Sequence, residues 1–152
     1  MKQRDTVTMP SDEARKLLET GRKLQLATIN PDGTPHLVSM FYGMRDGRIA
    51  FWTYRASQKA RNLARDPRVT CLVETGEQYF ELRGVQVVGT ARCVEDPAGV
   101  LEIGRGVAAV TTGMAADVLE EYTEKTARKR VGYVVEPRRV ISWDHRRLAH
   151  PG

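Results

Sequence analysis

Between residues 24 and 54 the chain is interrupted twice by the same two-residue signal. Asp32-Gly33 closes the stretch Asn30-Pro31-Asp32-Gly33, and Asp46-Gly47 follows Arg45. Proline presets one turn dihedral and glycine accepts positive φ, so each site reverses the chain. The flanking segments read as strands. Leu24, Leu26 and Thr28 alternate with Gln25, Ala27 and Ile29, while 37–44 and 48–54 are rich in apolar and aromatic residues. Two hairpins in succession commit this part of the chain to an antiparallel sheet and predict a three-stranded meander.

The remaining elements extend that sheet. Ser11 is placed to cap a helix whose first turn carries Asp12 and Glu13, followed by Ala14, Leu17 and Leu18 at helical spacing as far as Gly21. A second, basic helix begins at Ser57, packs through Ala60, Leu63 and Ala64, and stops before Pro67. A fourth strand is predicted over 68–75 and a bent fifth over 79–94, where Gly84 and Gly89 signal a bulge or a barrel corner. Helical segments at 97–108 and 114–128 precede a last strand over 132–143. Six antiparallel strands with small covering helices make the fold mainly β (α+β), a closed or nearly closed barrel. No internal repeat or long linker divides residues 1–152, so one domain is expected. At that size about two-thirds of the unfolded surface can be buried in one core.

Charge and cysteine content narrow the function. The net charge of +5 suggests an anionic ligand, while zinc-finger, RNA-binding and helix-turn-helix patterns are missing, so no nucleic acid is expected. No apolar run approaches the roughly 20 residues that span a bilayer. The start, Met1-Lys2-Gln3-Arg4-Asp5, does not lead into the apolar segment of a secretion signal, so a cytoplasmic protein is expected, with no membrane partner. Cys71 and Cys93 lie in strand-like runs without CxxC spacing or a partner histidine. They read as buried small hydrophobes, and no metal site is expected.

The basic helix poses the functional question. Lys59, Arg61 and Arg65 crowd a helix of barely three turns directly after a strand. A helix N-terminus at Ser57 offers free amides and a positive dipole end to an anion. Lys59 sits in that first turn, where the dipole disfavours a cation unless an anion is bound. His36 reads as an exposed strand residue. Lys125, Arg128, Lys129 and Arg130 read as a solvated helix C-terminus, where cations offset the dipole. No nucleophile–base pair is visible, so no catalytic side chain is named.

Three passages in order, "LATINPDGTPHLVSMFY", "IAFWTYRASQKARNLARDPRV" and "VQVVGTARCVED", resemble the split β-barrel flavin-binding family that includes pyridoxamine 5'-phosphate oxidase. The resemblance covers residues 11–96, with "RVISWDHRRL" matching the closing strand. It implies a six-stranded antiparallel split β-barrel and a cofactor-binding set of Val38, Ser39, Met40, Trp52, Thr53, Ser57, Gln58, Lys59 and Trp143. Trp52 also reads as barrel core, and Trp143 as an anchor docked on the barrel.

In members that bind flavin mononucleotide (FMN), basic residues in the loop matching Ser57-Gln58-Lys59 and an arginine on the second strand hold the phosphate. Here Gln58 stands at one arginine position and Val38 at the other. Neither replaces a guanidinium fork. The departure resembles the subgroup of deazaflavin (coenzyme F420) dependent reductases, which lacks the second-strand arginine and keeps the lysine. The implied function is an oxidoreductase passing hydride from F420 to a conjugated small-molecule acceptor. The alternatives are an FMN-dependent oxidase or reductase, and a cofactor or tetrapyrrole carrier without turnover. The resemblance also implies a homodimer with cofactor sites at its interface, Trp143 reaching towards the neighbouring site.

Overall fold

The computed structural model describes residues 2–111 and 113–149, so the domain limits expected at Met1 and Gly152 lie outside the described residues. In chain order the elements are α1 (Gln3–Val7), α2 (Ser11–Thr20), β1 (Lys23–Ile29), β2 (Pro35–Phe41), β3 (Gly43–Arg45) and β4 (Arg48–Tyr54). Then come α3 (Gln58–Arg65), β5 (Arg68–Thr75), a 3-10 turn (Tyr79–Glu81), β6 (Arg83–Val94), α4 (Pro97–Ala108), α5 (Ala116–Ala127), β7 (Arg130–Asp144) and α6 (Arg146–Ala149). The strands form one antiparallel sheet in the order β2-β1-β5-β6-β7-β4-β3.

Seven strands replace the expected six, because the run 37–44 breaks at Tyr42 into β2 and β3. Both hairpins form, but they lie at opposite edges of the sheet rather than in a meander. One residue, Tyr42, joins those two edges. A single residue spans only about 7 Å between its neighbours' Cα atoms, so the sheet must curl until its edges approach. Tyr42 is 1% exposed, and its hydroxyl donates to the Leu18 carbonyl in α2. Gly43 completes the crossing: a Cβ there would sit 2.9 Å from the Gly106 backbone of α4.

Strand alternation fills the concave side with Leu24, Leu26, Cys71, Val73, Val85, Val87, Phe51 and Tyr133. Phe51 stacks on Tyr133 with ring centroids 5.3 Å apart. Burying such a side chain contributes about 1.5–3 kcal/mol. β4 is buried on both faces, which explains its continuous apolar run. Its Ala50 and Trp52 turn outwards beneath α4, against Val100, Ile103 and Val107. Close approach there depends on Gly104, where an added Cβ would lie 2.4 Å from the Trp52 ring.

Local expectations are corrected at three places. α2 starts at Ser11 itself, after Pro10, with no side-chain cap, because Ser11 is already helical. Residues 79–81 form the 3-10 turn, and the strand begins only at Arg83, with a register shift at Val88/Gly89. Cys93 is exposed near the end of β6, where the strand passes beyond its cover. Cys71 is fully buried, and burial pushes its thiol up to about 12. Among the described residues no helix is long and apolar enough to cross a membrane.

Candidate anion and cofactor site

The site grows from the end of β4. Near its end Trp52 and Thr53 are buried, while the last residue, Tyr54, is exposed; the chain then turns into α3, with the Ser57 amide donating to the Tyr54 carbonyl at 3.0 Å. The Ser57 Oγ caps the helix. It accepts from the Ala60 amide at 3.2 Å and from the Thr53 hydroxyl at 3.0 Å. A hydroxyl has two lone pairs and one proton. Both lone pairs are taken, so the Ser57 O–H is left to donate. The amides of Gln58 and Lys59 are the remaining open donors of the first helical turn.

A polar chain fixes this helix to the β1–β2 turn. Gln58 donates to Asn62 at 2.9 Å, and the fully buried Asn62 donates to Thr28 Oγ1 and Asn30 Oδ1, both at 3.0 Å. Sequence reasoning missed Asn62. With Ala60, Leu63 and Ala64 as the expected packed face, helical spacing put Asn62 on the far side, but the structure leaves Ala64 exposed and buries Asn62. Two of the three helix cations are also structural: Arg61 donates to the Ala56 carbonyl at 2.7 Å, and Arg65 donates to the carbonyl of Ile29. Lys59 has neither role.

The opposite wall comes from β7. α5 ends at Ala127, and Arg130 is the first residue of the strand, paired with Tyr54. The expected solvated helix end is therefore wrong for Arg130. Its guanidinium lies 4.5 Å from the Trp52 ring centroid and 4.3 Å from that of Tyr54. Arg55 donates to the Arg128 carbonyl at 2.7 Å and brings its own charge to the same corner. Among the described residues, none of Arg55, Lys59, Arg128, Lys129 and Arg130 forms an ion pair with a carboxylate. Burial, and then the charge of Arg130, hold the Lys59 amine below the usual lysine range. Hydrogen bonding and charge from Arg130 lower the Tyr54 phenol.

The structure brings Trp52, Thr53, Ser57, Gln58 and Lys59 together at this corner. β2 distributes its residues differently: Val38 and Met40 pack towards the core, while Ser39 faces outwards opposite Gln25. A two-residue side-chain period forbids Ser39 and Met40 from sharing a face. His36 is half-buried rather than exposed. It sits opposite Thr28 with a buried Nδ1 that lacks a partner, because β2 turns that residue inwards. Trp143 packs over Gly84 at the far end of β7. The strand from Arg130 to Trp143 advances roughly 40 Å at the usual strand rise. Within one chain, Trp143 is remote from Lys59.

The chain as a whole is similar to several known proteins. The family model described as pyridoxamine 5'-phosphate oxidase matches residues 10–144. No curated protein matches the chain. Among solved structures, a conserved hypothetical protein from Mycobacterium tuberculosis is 42% identical, covering 100% of this chain and 95% of that one, with a TM-score of 0.89. An F420 reductase is 29% identical over 83% of this chain and 94% of that one, with a TM-score of 0.60. A heme-binding protein from Mycobacterium smegmatis, 20% identical over 94% of this chain and 62% of that one, shares the fold with a TM-score of 0.67. The family match runs from the start of α2 to the last residue of β7 and takes in the capped helix with its lysine: the chain belongs to the pyridoxamine 5'-phosphate oxidase family.

Proposed function

We propose that the protein is an F420-dependent oxidoreductase that passes hydride to a conjugated, apolar small-molecule acceptor. One observation carries this reading: a capped helix N-terminus, beside cations without carboxylates, in a chain with Val38 and Gln58 where FMN-binding relatives carry arginine. The donor set fits a phosphate ester. Lys59, the Ser57 hydroxyl and the two open amides would hold it. Reduced F420 supplies the hydride when bound. The chain's own part is to bind and orient. Lys59 and Ser57 fix the charged end, and the buried Thr53 and Asn62 hold Ser57 and α3 in place. The likeness to the F420 reductase supports this choice of cofactor.

FMN is the second reading, favoured by the family itself. A carrier that binds a cofactor or tetrapyrrole without turnover is the third. Titration of the purified protein with F420 and FMN separates the first two, with F420 expected to bind more tightly. Tighter FMN binding would reverse the order. Oxidation of reduced F420 is then followed over quinones, enones and tetrapyrroles. Binding with no consumption across that panel would leave the carrier reading in its place.

The site is proposed to be shared between two copies of the chain. The convex sheet face carries Leu37, Phe41, Ile29, Leu72 and Val88 together with Lys23, Arg68 and Glu74, and Leu37 is 66% exposed. A groove of about 580 Å³ runs along it, lined by Ala27, Ile29, Thr70 and Val88 among others. A second copy would cover this face and bring its Trp143 towards the Lys59 corner, which the same chain's Trp143 does not reach. Sedimentation at micromolar concentration should show a dimer. A monomer that binds cofactor tightly would defeat the shared site.

A further inference from the structure

We infer that Arg130 is the second cationic ligand of the anion held by Lys59, supplying from β7 the guanidinium that is missing at Val38 and Gln58. The inference rests on the proposed reading of the corner as a phosphate site. It adds a residue from a different element, far from the phosphate loop in sequence.

Three observations converge. The pairing of Tyr54 with Arg130 and of Thr53 with Val131 fixes the arginine backbone beside the strand end that leads into the Ser57 cap. The side chain is held rather than free. Its guanidinium lies against both the Trp52 and Tyr54 rings, and its Nε is buried without a hydrogen-bond partner. Burial, and after it the charge of Arg130, hold the Lys59 amine below the usual lysine range.

Neighbouring charge makes this arrangement costly without a ligand. The titratable groups close to Arg130 are Lys59, Lys129 and the Tyr54 phenol, which the nearby guanidinium holds below its ordinary value. Two cations so placed repel each other, and an oxyanion between them removes that repulsion. The division of labour suits a phosphate ester: arginine grips two oxygens as a planar fork, and lysine adds a point charge. Stacking on two aromatic rings immobilises the fork before binding, which reduces the ordering cost at the moment of association.

The test compares F420 with the deazariboflavin that lacks its phosphodiester. Arg130→Gln should weaken F420 binding by roughly tenfold or more, the scale of one charged hydrogen-bonded contact, and leave deazariboflavin binding unchanged. Arg130→Lys, which keeps the charge and loses the fork, should fall between; it also serves if Arg130→Gln fails to fold. In the ligand-free protein, NMR titration of the Lys59 amine should show its pKa rising in Arg130→Gln. Unchanged F420 affinity in both variants, or equal losses for the two ligands, overturns the inference. If the wild type binds neither F420 nor FMN, the cofactor reading fails separately. Inorganic phosphate then decides on Arg130, through a tryptophan fluorescence change in the wild type that Arg130→Gln abolishes. No response to phosphate in the wild type would overturn it.

Discussion

β7 begins and ends on arginine-rich ground, and its two ends treat charge in opposite ways. At the Trp143 end the two arginines that follow the strand, Arg146 and Arg147, meet carboxylates. Asp144, 2% exposed, accepts from Arg146 at 2.9 and 2.8 Å, and Arg147 reaches across to Glu13 on α2 at 2.9 Å. The same end anchors the N-terminal segment, since the Met9 amide donates to Ser142 at 3.0 Å. At the Arg130 end, among the described residues, Arg55, Lys59, Arg128, Lys129 and Arg130 form no ion pair with a carboxylate. Matched charges are satisfied inside the fold and serve to hold it. Unmatched charges cost stability until something outside the chain neutralises them. The contrast separates an anchor from the proposed binding site.

The largest expected effect falls on the anchor. Asp144→Ala removes the acceptor of two charge-assisted bonds and should lower folding stability by about 2–3 kcal/mol, read from the denaturant midpoint. Phosphate binding at the other end should be unchanged. A loss of phosphate affinity without a loss of stability would erase the distinction between the two ends.

Lys59→Ala is the converse. Cofactor binding should weaken by about 1.5–3 kcal/mol, the scale of a hydrogen bond to a charged group. Folding should hold or improve slightly, because a half-buried amine without a carboxylate is removed and alanine suits a helix. Wild-type affinity in the folded variant would end the phosphate assignment.

A smaller effect tests whether the two ends meet across a dimer. Trp143→Ala should cost cofactor binding about 1 kcal/mol of aromatic contact and leave binding of inorganic phosphate as it was. Equal losses for both ligands would show that Trp143 supports the fold and contacts no ring.

The pH responses should also point in opposite directions. Hydrogen bonding from Arg146 holds Asp144 below the usual carboxylate value, so its contribution to stability is present above the unfolded pKa and lost as pH falls through the folded one. Lys59 is depressed in the folded state, so its charged form costs stability at neutral pH, and that cost is relieved as pH rises through its lowered pKa. Anion affinity should decline over the same alkaline interval, because only the protonated amine attracts the ligand. Titration calorimetry across that range checks the sign, and affinity rising with pH would contradict it.

Much of this was legible before any fold was known, because it is local. The Asp-Gly turns, the cap at Ser57, the start of α4 at Pro97 and the strand at 68–75 depend on dihedral preference and on residues a few positions apart. Lys59 was legible for the same reason: its conflict with the helix dipole lies within one turn. Everything that required register was hidden. The break at Tyr42 exists because its side chain is drawn under α2 and the sheet curls around it. Ser39 and Met40 part company because of the pleat, and Cys93 is exposed because its strand outruns its cover. Arg130 looked like one more cation on a helix end. It stands beside the proposed site only because β7 pairs with β4 across the 75 residues that separate Tyr54 from Arg130. The sequence by itself determined most of the helices and strands and marked Lys59 as the proposed anion contact. The tertiary structure decided which distant charges stand beside that position, because pairing across a curled sheet is set by the burial of both its faces at once.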